Sequence, residues 1–193
     1  MKFDLRLLLM ALMSASLSLS IGQDKPASPA PKNDSEWLAL ANRNLDELIE
    51  SLPPAEKARV TEARQAKSPD TSRITGTFYG KDESDANLQI VWTIVRDPEG
   101  TAALQELHLY HDTKEFERID DRYRWILIGR LLVEIFPDEP DFINVQMLDE
   151  IDEEKISYYA VDPDVPSDEW FYDTDLREKI EFPSIPEGYE KIE

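Results

Sequence analysis

The chain has no cysteine, so disulfides, zinc ribbons, iron–sulfur clusters and thiol nucleophiles are excluded together. Positive charge is scarce, with 21 lysines and arginines against 41 acidic residues for a net charge of −20. That balance excludes nucleic acid and anionic lipid as the main partner, because both are bound through excess positive charge. No apolar run reaches the roughly 18 residues of a membrane-spanning helix, which rules out a polytopic membrane protein. Gly-x-Ser-x-Gly, Ser-x-x-Lys and His-Glu-x-x-His are missing too, so the common hydrolase signatures are absent. What is present is a chain of 193 residues, 41% hydrophobic and 9% aromatic. This is enough for one domain with a buried core and too apolar for wholesale disorder.

Residues 1–22 have the order of a secretory signal: Lys2 and Arg6, then an apolar run from Leu7 to Met13, then small residues ending at Ser20 and Gly22. Cleavage is expected near Gln23, giving an extracytoplasmic protein, periplasmic or secreted, with no membrane association afterwards. Residues 23–34 are rich in proline and alanine and read as a stiff solvated tether.

Residues 35–161 read as a single α+β domain. Ser35 caps a helix in which Trp37, Ala41, Leu45, Leu48, Ile49 and Leu52 recur at steps of three and four, and Pro53-Pro54 stops it. A second, weakly amphipathic helix runs to residue 67. From Arg73 the period becomes two: residues 74–79, 88–96 and 103–111 read as three antiparallel strands, the last two joined by a turn at Asp97-Pro98-Glu99-Gly100. Asp112 and Glu115 have the form of a capping box. The spacing of Phe116, Ile119, Tyr123, Ile126, Leu127, Leu131 and Ile135 then predicts a central helix, apolar nearly all round in its second half. Residues 142–148 and 155–161 predict two more strands, giving βββαββ after the helical segment. The expected fold is thus a mainly antiparallel sheet of about five strands packed on one central helix. Its core is expected to combine Trp37, Leu45 and Leu48, then Ile90, Trp92 and Ile94, with Phe116, Tyr123, Leu127, Leu131 and Ile135 from the central helix. Residues 162–193 read as an irregular, acidic tail containing aromatics.

Charge is uneven: residues 81–193 hold 31 of the 41 acidic residues but 11 of the 21 basic ones. The clusters Asp149, Glu150, Asp152, Glu153, Glu154 and Asp162, Asp164, Asp168, Glu169, with the neighbouring aromatics Trp170, Phe171 and Tyr172, are the candidate binding residues. They suit a basic protein or peptide drawn in by a one-signed field. No cofactor and no metal are expected. Asp162-Pro163-Asp164 lacks the third ligand and the glycine of a calcium loop. On a strand, His108 and His111 diverge, whereas Glu106 and His108 share a face. The sequence therefore points to an exported, monomeric binding or accessory domain of inhibitor or immunity type. The alternatives are an extracytoplasmic hydrolase using a carboxylate pair or the Glu106/His108 neighbourhood, and an envelope structural protein.

Overall fold

A computed structural model describes residues 31–192. The signal assigned to residues 1–22 and the tether up to residue 30 lie outside the described residues. Two helices come first, α1 (Asp34–Ser51) and α2 (Pro54–Gln65). The cap of α1 is Asn33 and not Ser35, its side-chain oxygen accepting from the Glu36 amide at 3.0 Å. Trp37, Leu40, Ala41, Leu45 and Ile49 form the buried stripe of α1. α2 opens with proline where an amide would be unpaired in any case. It buries little apolar surface beyond Val60 and Ala63.

The rest is β: β1 (Gly76–Asp85), β2 (Leu88–Arg96), β3 (Thr101–Tyr110), β4 (Glu115–Ile128), β5 (Leu131–Ile135), β6 (Ile143–Ile151), β7 (Lys155–Ala160), β8 (Tyr172–Leu176) and the short β9 (Glu190–Lys191). Strands β1 to β8 pair antiparallel with their neighbours in sequence, and β8 returns to β1, so the sheet closes into an eight-stranded up-and-down barrel. β9 adds a short parallel pairing to the start of β4. Two seams are thin. β1 and β8 share one registered pair, Tyr79 with Leu176. β4 is paired only to β3 over residues 117–123, because β5 meets it from Arg124 and β9 stops at Phe116.

This architecture overturns the expected α+β fold. The second and third strands and their hairpin are where period two puts them, whereas the first begins at Gly76 and runs on to Asp85 instead of spanning 74–79. Residues 112–135, however, form the β4–β5 hairpin and no central helix. Asp112 caps no helix; its carboxylate accepts from the Thr113 amide in a turn where Lys114 has φ 58°. The irregular tail is also corrected, since residues 172–176 form the strand that closes the barrel.

The physical reason lies in which faces are covered. α1 and α2 pack on the outer face of the barrel against Leu131, Val133, Ile135, Val145 and Met147, with Ile126 and Ile128 at the margin. A second core lies inside the barrel, from Ile74 and Phe78 to Trp92, Tyr123, Trp125, Leu132, Leu148, Ile156 and Tyr158. Apart from Gly129 and Arg130 in the turn and the inward Glu134, residues 125–135 therefore lie between two cores and are apolar on both faces, a pattern that periodicity cannot separate from a buried helix. The single expected core is thereby split in two, with Leu127 and Phe116 only partly buried.

Candidate functional site

Inward positions alternate along every strand. Along β2 they are Ile90, Trp92, Ile94 and Arg96, so an arginine continues the apolar stripe into the barrel, where it is 1% exposed. Its Nη1 donates to Asp175 Oδ2 at 3.0 Å, and its Nη2 stands 3.7 Å from Glu134 Oε1. Asp175, on the inward face of β8, also accepts from Trp92 Nε1 at 3.1 Å. Gly80 makes this placement of Trp92 feasible, since a Cβ there would stand 2.1 Å from the indole. The network, together with Trp125, Leu132, Leu148 and Ile156, fills one end of the barrel.

The other end is hollow. A cavity of about 100 Å³ extends toward the turns that join β1 to β2 and β3 to β4. Its apolar wall includes Ile90, Trp92, Ile94, Phe136 and Phe171, and its polar groups are Glu106, His108, Asp121, Glu134, Asn144, Gln146, Tyr158 and Asp173. Asn144 Nδ2 donates to Glu134 Oε2 at 2.8 Å, with Gln146 Nε2 at 3.4 Å from the same oxygen. Glu134 Oε1 and Gln146 Oε1 are buried and have no hydrogen-bond partner. Buried acceptors left without donors are costly.

His108 is buried between carboxylates, its Nε2 2.8 Å from Glu106 and its Nδ1 3.8 Å from Glu117. His111 faces outward and meets the Tyr189 hydroxyl at 2.7 Å. Burial raises the carboxyl of Glu134 above its usual range, against the pull of Arg96. Burial, then Glu106 and Asp120, raise Asp121. Asp173 is pushed up to about 7 by burial, with Asp175 and Asp82 adding repulsion.

The Asp173 shift has a consequence for stability. Between an ordinary value near 3.8 and about 7 the native chain holds a proton that the unfolded chain has lost. Stability from this group is therefore complete below pH 4 and is lost as pH rises through 7. Asp173→Asn cannot ionise. Urea titrations should show the variant gaining roughly 1–3 kcal/mol over the parent between pH 4 and pH 8, the partial exposure of Asp173 reducing the full linkage value. Parallel pH profiles for the two proteins would show that Asp173 titrates normally.

The structure separates most of the candidate residues chosen from charge. Asp149, Glu150, Asp152, Glu153 and Glu154 lie in the β6–β7 hairpin at one end of β7, whereas Asp162, Asp164, Asp168 and Glu169 lie in the β7–β8 connection at the other. Glu150 pairs with Lys155 at 2.6 Å, and Asp152 accepts from the Glu154 and Lys155 amides. Asp162 accepts from the Asp164 amide. The connection is pinned to α2, where Glu56 accepts from the Ser167 amide at 3.1 Å and Arg59 lies over the rings of Tyr159 and Trp170. Trp170 is 5% exposed and donates to the carbonyls of Asp162 and Val165, so it anchors its own loop. Tyr172 remains exposed with its hydroxyl 3.4 Å from Asp149, the one bridge between the two groups, and Phe171 lines the cavity.

Sequence reasoning passed over Arg96, Asp121, Glu134, Gln146, Asp173 and Asp175. A signal existed for two of them: Arg96 continues the alternation of Ile90, Trp92 and Ile94, and Asp175 alternates with Asp173 across Thr174. Among the described residues, no three side chains of the histidine, aspartate or glutamate type converge to hold a metal ion. Compared with known proteins, the chain matches no family model, no curated protein and no solved structure.

Proposed function

We propose that this protein is an exported barrel that binds one small molecule inside its hollow end. The observation that carries the reading is the cavity of about 100 Å³, with apolar walls and several converging polar side chains. An eight-stranded barrel has an interior just wide enough either to be filled by side chains or to hold a small ligand. Here one end is filled and the other is not, and the cavity lining includes Gln146, whose buried Oε1 has no hydrogen-bond partner. A cavity kept only for packing would favour apolar lining, because unpaired polar groups destabilise it. Export rests on the signal-like pattern of residues 1–22.

The hydrolase alternative finds less support. The pair Glu106 and His108 lines the same cavity, but both imidazole nitrogens face carboxylates and not the open space. Binding of a basic partner through one acidic face is weakened by the separation of the acidic segments along β7.

The test fills the cavity from its wall. Ala160 lines the cavity and is 8% exposed. A panel of small aromatic and aliphatic compounds, followed by the fluorescence of the cavity-lining Trp92, should yield ligands whose affinity falls by roughly tenfold or more in Ala160→Leu while far-UV circular dichroism stays unchanged. Ligands that bind both proteins equally would place their site elsewhere and remove the cavity as the functional site.

A further inference from the structure

We infer that the cavity selects a small organic ammonium ion with an apolar body, over neutral and anionic molecules of the same shape. The inference deepens the proposed ligand-binding function and rests on it.

The lining holds four carboxylates on four different strands, Glu106 of β3, Asp121 of β4, Glu134 of β5 and Asp173 of β8, and no lysine or arginine. The only basic group in the lining, His108, is already engaged by Glu106 at 2.8 Å. Arg96 lies beyond the lining; its Nη1 is held by Asp175 at 3.0 Å and its Nη2 stands 3.7 Å behind Glu134, its Nε and Nη2 having no hydrogen-bond partner. An anion entering this space meets the lining carboxylates first, with Arg96 set behind Glu134 and outside the lining. A cation relieves repulsion already present among the carboxylates.

A second, independent observation asks for hydrogen-bond donors. Gln146 is 4% exposed and lines the cavity with its Oε1 unpartnered, whereas the unpartnered Oε1 of Glu134 faces Arg96 Nη2 at 3.7 Å. An ammonium group supplies three donors and no acceptor, which matches a site that offers acceptors and carries negative charge. A bare metal ion fits less well. It needs ligands converging on one point, and the carboxylates here are distributed around the barrel instead, with no convergent group among the described residues. Trp92, Phe136, Tyr158 and Phe171 supply what a metal would not use: aromatic and apolar surface for the body of an organic cation.

Three probes of nearly one shape separate the possibilities: benzylammonium, benzyl alcohol and benzoate, titrated calorimetrically into the full chain at pH 8 and low salt. Benzylammonium is expected to bind roughly tenfold or more tighter than benzyl alcohol, as for hydrogen bonds to a charged group, and benzoate is expected not to bind. Asp121→Asn should then weaken benzylammonium several-fold and leave benzyl alcohol unchanged. Asp121 lies on the half-exposed side of the cavity, outside the Arg96 network, so this variant should keep the fold. Equal binding of amine and alcohol, or preferential binding of benzoate, would overturn the charge selectivity while leaving the ligand-binding barrel in place. If none of the three probes binds and the wider neutral panel also fails, the ligand-binding reading itself falls.

Discussion

Arg96→Met is expected to destabilise the protein by about 3–5 kcal/mol, the usual cost of removing one partner from a buried ion pair. Arg96 and Asp175 are 1% and 0% exposed, with 3.0 Å between Nη1 and Oδ2. Methionine fills much of the same volume, so a cavity is not the main loss. What remains is the Asp175 carboxylate, held only by the Trp92 indole and facing the acidic groups Glu134 and Asp173 without a cation. A companion variant isolates the cause. Arg96→Met combined with Asp175→Leu removes the charge with its partner, and it should recover most of the loss, because apolar replacement of a whole buried pair is commonly near neutral. Urea denaturation of both variants makes the comparison. A loss below about 1 kcal/mol for Arg96→Met would mean that water reaches Asp175 and that this end of the barrel is not closed.

Gly129→Ala is expected to cost roughly 2–5 kcal/mol and to loosen α2 from the barrel. Gly129 has φ 63°, in the left-handed region where a side chain meets the following carbonyl. It also sits under the C-terminal turn of α2. A Cβ at this position would stand 2.2 Å from the Arg64 carbonyl oxygen and 2.4 Å from that of Ala63, and backbone cannot swing aside as a long side chain can. The same contact includes the Arg130 amide donating to the Ala63 carbonyl at 2.8 Å. Hydrogen exchange should therefore show α2 amides losing protection more than those of β2 and β3. Uniform loss across the barrel, or no change in α2, would show that the helix is not docked through this turn.

Glycine 129 illustrates how far local reading extends. It lies in the stretch that spacing predicts as a helix, and the close approach it permits belongs to a hairpin turn pressed against a helix. β2 was legible because Leu88, Ile90, Trp92 and Ile94 alternate with Gln89 and Thr93 in a run rich in β-branched residues, and β3 because it follows Asp97 and Gly100, which carry strong turn chemistry. Gly100 has φ 83°, and the Asp97 carboxylate accepts from the Glu99 and Thr101 amides. β4 was not legible. Its inward positions include Asp121, a carboxylate facing the cavity, and this interrupts the two-residue alternation where a strand signal was needed. β5 is buried at all five positions, so it carries no alternation at all. Polar lining alone does not hide a strand, since β3 carries Glu106 and His108 and β6 carries Asn144 and Gln146, and both were legible. β4 and β5 were lost because Trp125, Leu127 and Leu132 face the barrel core while Ile126, Ile128, Leu131, Val133 and Ile135 face the helices.

The sequence by itself determined a cysteine-free, strongly acidic chain with an amphipathic first helix and a three-stranded antiparallel start, since these follow from composition and from contacts between near neighbours. Tertiary structure decided the rest. Closure depends on β8 finding β1 across most of the chain, and Asp175 becomes a core residue only once that closure puts it beside Arg96. Those residues are 79 positions apart, and no local pattern encodes such a pairing. The cavity is equally non-local. It exists because inward side chains from different strands fill one end of the barrel and leave the other open, and the volume left over belongs to the closed sheet and to no segment of it.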